Sequence, residues 1–145
     1  MNTKEHIEYS EVVKHCRILA GHIQNRKIEK IVAVTRGGMV PACLLAQFLN
    51  IRKVGSISLA SYEGSSRSEG IKVLTEPNFE IDAQTLFVDD LYDSGSTYRY
   101  LKEKYPQAKC AVVYTKDPAA VLDFPAVIKD KNLWLVFPWE FDAAD

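Results

Sequence analysis

The densest group of chemically capable side chains is the run Leu86-Phe87-Val88-Asp89-Asp90-Leu91-Tyr92-Asp93-Ser94-Gly95-Ser96-Thr97. An apolar stretch delivers two adjacent carboxylates, and a third follows at Asp93. Three hydroxyls then surround one glycine. Carboxylates placed this way can bind the hydroxyls of a polyol or a hard divalent cation, which prefers oxygen ligands. Ser94, Ser96 and Thr97, with the unpaired amides of a helix start, can hold a phosphate monoester. Each half alone is commonplace, because an Asp-Asp pair often closes a solvated turn and a Ser or Thr before a helix is often only a cap. Joined at this spacing, the two halves suit a sugar phosphate.

The elements needed to position these groups are legible on either side. From Ser10, placed to cap, Val12, Cys16, Leu19 and Ile23 recur at helical spacing. His15 and His22 fall on the surface of that helix. Lys30 to Val34 reads as a buried strand ending in the turn Thr35-Arg36-Gly37-Gly38, and Pro41 suits the first turn of the next helix. Val54 to Leu59 is a further strand. Ser61 to Gly70, rich in Ser and Gly, reads as a mobile loop, and loops of that length inside a compact domain are often functional. Thr85 to Val88 is a buried strand running into the acids. A helix is expected near Thr97, with Tyr98, Leu101 and Tyr105 on one face, and Cys110 to Tyr114 is the next strand. The segment from Asp117 to Asp145 is less regular and holds both tryptophans. Strands alternating with helices predict an α/β fold with a mostly parallel central sheet and helices on both faces. In such sheets ligands bind at the carboxyl ends of the strands, where Asp89 and Asp90 are expected.

Composition sets outer bounds. The chain has 145 residues, 47% of them hydrophobic, with 18 Lys and Arg against 19 Asp and Glu, a net charge of −1. That length fits one domain, and that composition fits a folded chain. With no positive surplus, a nucleic-acid partner held by bulk charge is not expected. The longest uncharged stretch, Gly37 to Ile51, is shorter than the ~20 apolar residues of a membrane span, and the N-terminus lacks a signal-peptide core. Cys16, Cys43 and Cys110 lie far apart among apolar neighbours, which predicts buried free thiols in a cytoplasmic protein.

The Leu86 to Thr97 block resembles the phosphoribosyl-diphosphate (PRPP) binding motif of the type I phosphoribosyltransferases, with Asp89, Asp90, Asp93, Ser94, Gly95 and Thr97 all in register. Val34-Thr35-Arg36-Gly37-Gly38-Met39-Val40-Pro41 resembles the family's pyrophosphate loop, and Ser61-Tyr62 the start of its catalytic lid. Trp134-Leu135-Val136-Phe137-Pro138-Trp139-Glu140, with Tyr105-Pro106 and Lys116, is similar to the 6-oxopurine branch, above all the short bacterial xanthine-guanine enzymes. Departures are Ser96 in the phosphate loop, Asp117-Pro118-Ala119-Ala120 after Lys116, and a short tail beyond Glu140.

The resemblance implies the type I phosphoribosyltransferase fold over residues 1–145, with a small hood mainly from about 117–145. It implies a purine-salvage glycosyltransferase that converts PRPP and xanthine, guanine or hypoxanthine into a nucleoside 5′-monophosphate and pyrophosphate. Asp93 to Thr97 would hold the 5′-phosphate. Asp89 and Asp90 would meet the ribose hydroxyls directly or through Mg²⁺, and Thr35, Arg36, Gly37 and Gly38 the pyrophosphate. Asp93 and Tyr62 would be catalytic, Asp93 by handling the purine N7 proton. Lys116, Trp134 and Leu135 would bind the base. The Thr35–Arg36 peptide is often cis in the family, and a homodimer or homotetramer is implied. Two other readings stay open, a PRPP-binding regulator without turnover and transfer to another base. A phosphoacceptor receiver domain fails on order, because its acid pair follows the first strand.

Overall fold

A computed structural model describes residues 3–63 and 69–141 of the chain. Among them the elements run β1 (Thr3–His6), α1 (Tyr9–Ile23), β2 (Lys30–Val34), α2 (Met39–Leu49), β3 (Lys53–Glu63), β4 (Glu69–Thr75), β5 (Thr85–Tyr92), α3 (Ser96–Lys104), β6 (Lys109–Thr115), β7 (Val127–Ile128) and β8 (Leu133–Val136). The main sheet has six strands in the order β4-β3-β2-β5-β6-β7. Its pairs are parallel except β3 with β4. The short, fully buried β2 and the apolar first half of β5 lie at its centre, as strands covered on both faces should.

Helices cover both faces. Val12, Cys16, Leu19 and Ile23 of α1 and Ala42 and Leu45 of α2 form one cluster with Leu86 and Val88, while Leu101 of α3 packs with Phe87, Val32 and Ile57 on the other side. Helix α1 starts earlier than its hydroxyl suggests. Glu8, not Ser10, is the N-cap, and its N–H donates to Glu11 Oε1 at 3.4 Å. Cys16 and Cys110 are buried, and burial pushes both thiols up to about 12. Cys43 is exposed, because Pro41, Ala42 and Leu45 take the buried face of α2 and leave position 43 outside.

One further expectation is revised. Ser61, Tyr62 and Gly70 are not loop residues. They belong to an antiparallel hairpin in which Tyr62 pairs with Gly70, and residues 64–68 lie outside the described residues. Of the segment expected to form the hood, Val127–Ile128 extends the main sheet beside β6. Leu133–Val136 finds its partner at the other end of the chain, pairing parallel with β1 in a separate two-stranded sheet.

Candidate active site

The strand pleat separates the two acids. Leu86 and Val88 point to the α1/α2 cluster and Phe87 to the α3 cluster, so Asp89 and Asp90 start toward opposite faces of β5. Asp89 shares a pocket with Leu91, Tyr92 and the loop Ser94, Gly95, Ser96 and Thr97. Asp90 lies against the first glycine turn, where a Cβ added at Gly37 would collide with its carboxylate. The two carboxyl groups are still close enough at the strand end for each to influence the other's protonation. The Asp90 amide also donates to Asp89 Oδ1 at 2.8 Å.

Asp89 and Asp90 are half-buried, with no cationic partner among the described residues. Burial pushes Asp89 well above the usual carboxylate range, and the neighbouring Asp90 charge adds to this. Burial also raises Asp90, with the nearby Glu140 carboxylate adding to the rise. Glu140 is held by the turn at its own end of the chain, where Phe137 N–H donates to Glu140 Oε1 at 2.9 Å.

On one side of the acid pair stands the loop that opens α3. Gly95 has φ 84° and is the helix N-cap, a conformation that costs an L-residue ~1–2 kcal/mol. The Ser94 and Ser96 hydroxyls share a 3.1 Å hydrogen bond, and Ser94, Ser96 and Asp93 are exposed. On the other side is the turn after β2. The Thr35–Arg36 peptide is cis. Thr35 is tied to β3 by its N–H to Ile57 O at 3.0 Å and its Oγ1 to Ser58 Oγ at 2.8 Å. A Cβ at Gly38 would overlap the Val88 carbonyl, so this turn presses directly on β5.

The groups expected around a base come from scattered elements. Lys116 N–H donates to Tyr92 O at 2.9 Å, which seats Lys116 beside the end of β5. Trp134 is 58% exposed on β8, whereas Phe137 is buried and stacks on Trp139 at 5.0 Å, so the aromatic core forms without Trp134. Because the Val136 carbonyl accepts from Ile7 N–H at 2.8 Å, strand alternation directs the Leu135 carbonyl away from β1. Tyr62 is 47% exposed and lines a groove with Ser61, Ser96 and Arg99.

Other contributors carry no motif. Lys129 Nζ bonds Glu5 Oε2 at 2.6 Å, tying β1 to the segment after β7. The Lys129 ammonium also lies 5.7 Å from the centre of the Tyr114 ring. His15, expected on the surface, is half-buried and shares a 2.8 Å hydrogen bond with Tyr114 Oη. Burial, together with Lys129 and Lys14, lowers its pKa. Arg99 donates to Ser94 O at 3.1 Å and to Tyr92 Oη at 3.4 Å. Its signal in the sequence is a cation one turn into a helix that opens on three hydroxyls.

The acid pair, the glycine-capped helix and the turn after β2 converge at the carboxyl edge of a doubly covered sheet, and that combination defines a class of ligand-transferring α/β domain. The chain belongs to the family described as "Phosphoribosyl transferase domain", whose model matches residues 8–145, and it has the type I phosphoribosyltransferase fold. It is 32% identical over 143 residues to a xanthine-guanine phosphoribosyltransferase of Idiomarina loihiensis, covering 96% of this chain and 88% of that one. It is 33% identical over 150 residues to another from Roseobacter denitrificans, covering 93% and 84%. The crystal structure of a purine phosphoribosyltransferase from Pyrococcus horikoshii superposes with a TM-score of 0.81 at 26% identity, covering 98% of both chains.

Proposed function

We propose that the protein transfers the 5-phosphoribosyl group of PRPP to a 6-oxopurine in purine salvage, releasing pyrophosphate. One observation carries this reading: the acid pair straddles the end of β5, between a hydroxyl-rich helix start on one side and the Thr35 to Gly38 turn on the other. A phosphorylated sugar with a second phosphate group at its far end matches that span.

In the reaction the bond from ribose C1′ to the pyrophosphate oxygen breaks, and purine N9 bonds to C1′. The loop from Asp93 to Thr97 holds the 5′-phosphate by amides and hydroxyls at a helix N-terminus. Asp89, which lines the phosphate pocket, receives the ribose hydroxyls. Asp90, beside Gly37, serves the side nearer the pyrophosphate. Arg36 and the amides of Gly37 and Gly38 take the leaving group. Asp93 accepts the N7 proton as N9 becomes nucleophilic, assistance of a kind worth ~10²–10⁴ in rate. Lys116 donates to purine O6, which favours oxo over amino purines. Trp134 stacks on the base, the Leu135 carbonyl accepts from its position 2, and Tyr62 shields the reacting bond from water.

Two half-buried carboxylates without a cationic partner among the described residues fit Mg²⁺, which takes one or two protein carboxylates and leaves its other positions to water and phosphate oxygens. Among the described residues no group of three or more His, Cys, Asp or Glu is arranged to hold a metal alone, so the ion belongs with the substrate. When bound it neutralises the departing pyrophosphate. Asp89 and Asp90 would supply its protein oxygens.

The reading covers residues 1–145 as one domain, acting in the cytoplasm as a homodimer or homotetramer. No helix among the described residues is long and apolar enough to cross a membrane. The outer side of α2, with exposed Met39 and Cys43, is apolar enough to support self-association. The test is turnover of xanthine, guanine, hypoxanthine and adenine with PRPP and Mg²⁺. Turnover of at least one 6-oxopurine, with adenine excluded, is expected. PRPP binding without turnover of any base would make the protein a regulator, and preference for adenine would sink the Lys116 assignment.

A further inference from the structure

Helix α3 breaks a local rule. Its N-terminus carries unpaired amides and partial positive charge, which an acidic residue in the first turn would complement. No acid is there, and Arg99 stands one turn in. Among the described residues no carboxylate forms an ion pair with Arg99, and Glu103, one turn further on, lines the same groove without pairing. Arg99 is also the lone cation between Thr85 and Leu101, a span that carries Asp89, Asp90 and Asp93. A cation that opposes its own helix dipole, without a carboxylate partner among the described residues, is the kind of local conflict expected at a functional site.

Its contacts say what it serves. The guanidinium donates to Ser94 O at 3.1 Å and to Tyr92 Oη at 3.4 Å, so it grips the loop at both ends of Tyr92-Asp93-Ser94. A Cβ added at Gly95 would collide with the Tyr92 hydroxyl and with Arg99 Nη1, so the space a side chain would occupy there is filled by this clamp. The Tyr92 ring is edge-on to Tyr98 at 5.5 Å, and Tyr98 Oη accepts from Asp123 N–H at 2.8 Å. The clamp thus rests on the buried side of α3. Arg99 does not line the pocket that holds Asp89, Ser94 and Thr97. It lines the neighbouring groove with Ser96, Tyr62 and Ser61. It therefore holds the Ser94 carbonyl on the groove side, away from the pocket an anion would enter.

We propose that Arg99, with Tyr92, is the positioning residue of the 5′-phosphate loop: it holds the loop from outside with its amides turned to the phosphate. The proposal rests on the reading of residues 93–97 as the 5′-phosphate cradle. A guanidinium suits this task because it offers a rigid fork of donors and does not lose its charge.

The experiment compares Arg99→Met, Arg99→Lys and Tyr92→Phe with the unaltered enzyme, using ribose 5-phosphate and pyrophosphate as separate inhibitors. Arg99→Met is expected to raise the KM for PRPP about tenfold, a change of ~1.4 kcal/mol. The ribose 5-phosphate inhibition constant rises by the same factor, while pyrophosphate inhibition, purine KM and kcat stay within about twofold. Arg99→Lys, which keeps the charge and loses the fork, falls between, and Tyr92→Phe shows a smaller rise. Unchanged ribose 5-phosphate affinity in Arg99→Met and Arg99→Lys would overturn the proposal. So would an equal loss for ribose 5-phosphate and pyrophosphate. If the unaltered protein bound neither PRPP nor ribose 5-phosphate, the loop assignment itself would fail, whatever Arg99 does.

Discussion

From Asp89 to Thr97 one unbroken run of chain carries the acid pair, the turn acid and the phosphate loop. The proposed base side instead draws on Lys116 after β6, Trp134 and Leu135 on β8, and β1 near the N-terminus. The first region is ordered by a strand end, a glycine N-cap and a helix start, all local. The second exists because Glu5 reaches Lys129 at 2.6 Å and Ile7 reaches Val136 at 2.8 Å across nearly the whole chain. The difference teaches that a candidate phosphate site can be written in a short segment, whereas the proposed base side depends on tertiary pairing. Changes in the first region should act on PRPP or on the chemical step. Changes in the second should act on the purine.

The sharpest way to break that division is Asp93→Asn. It should lower kcat by about 10²–10⁴ with little change in PRPP affinity, as loss of a general base does, read from steady-state kinetics across pH. Near-full turnover at every pH would remove Asp93 from the proton path. Next comes Gly95→Ala, where the positive φ costs ~1–2 kcal/mol and the new Cβ meets Tyr92 and Arg99. PRPP KM should rise by at least about tenfold, with purine KM unchanged. On the other side of the division, Trp134→Leu should raise purine KM by about 2–10-fold and leave PRPP KM alone, since an aromatic stack is worth ~0.5–1.5 kcal/mol. A matching rise in PRPP KM would show that the two regions are not separable.

The smallest effect is on stability. The Asp89 carboxyl is raised above its unfolded value of 3.8. Its folded form therefore holds the proton more tightly, so its contribution to stability is fully present below that value and is lost as pH rises through the folded pKa. Asp89→Asn should thus raise the melting temperature of the ligand-free protein by a few degrees at neutral pH, with the gain vanishing near pH 4, followed by thermal scans. A lower melting temperature at neutral pH would mean that Asp89 is paired in solution.

Much of the sheet was legible. Lys30–Val34 appears with the bounds its apolar run predicts, and α3 begins at Ser96, next to the expected Thr97. Runs of buried β-branched residues and a glycine before a helix act locally, so they can be read locally. Ser61, Tyr62 and Gly70 do not read as strand because strands carrying Ser and Gly lack the apolar alternation that marks one. The Tyr62–Gly70 pairing comes from register with β3, not from composition. Cys43 was misplaced for a related reason. α2 is apolar nearly all round, so its sequence does not say which side is covered, and the contacts of Pro41, Ala42 and Leu45 decide it.

The sequence by itself determined the order α1-β2-α2-β3-β5-α3-β6, the acids at the end of β5, and the hydroxyl-rich helix start. Each follows from steric and hydrogen-bonding preferences spanning a few residues. The tertiary structure alone decided that Asp90 lies against Gly37 while Asp89 faces the phosphate loop, that β1 crosses the chain to pair with β8, and that His15 bonds Tyr114. Those features join residues far apart along the chain. Their formation depends on closing long loops and on which face each element buries, and no local pattern of residue types carries that information.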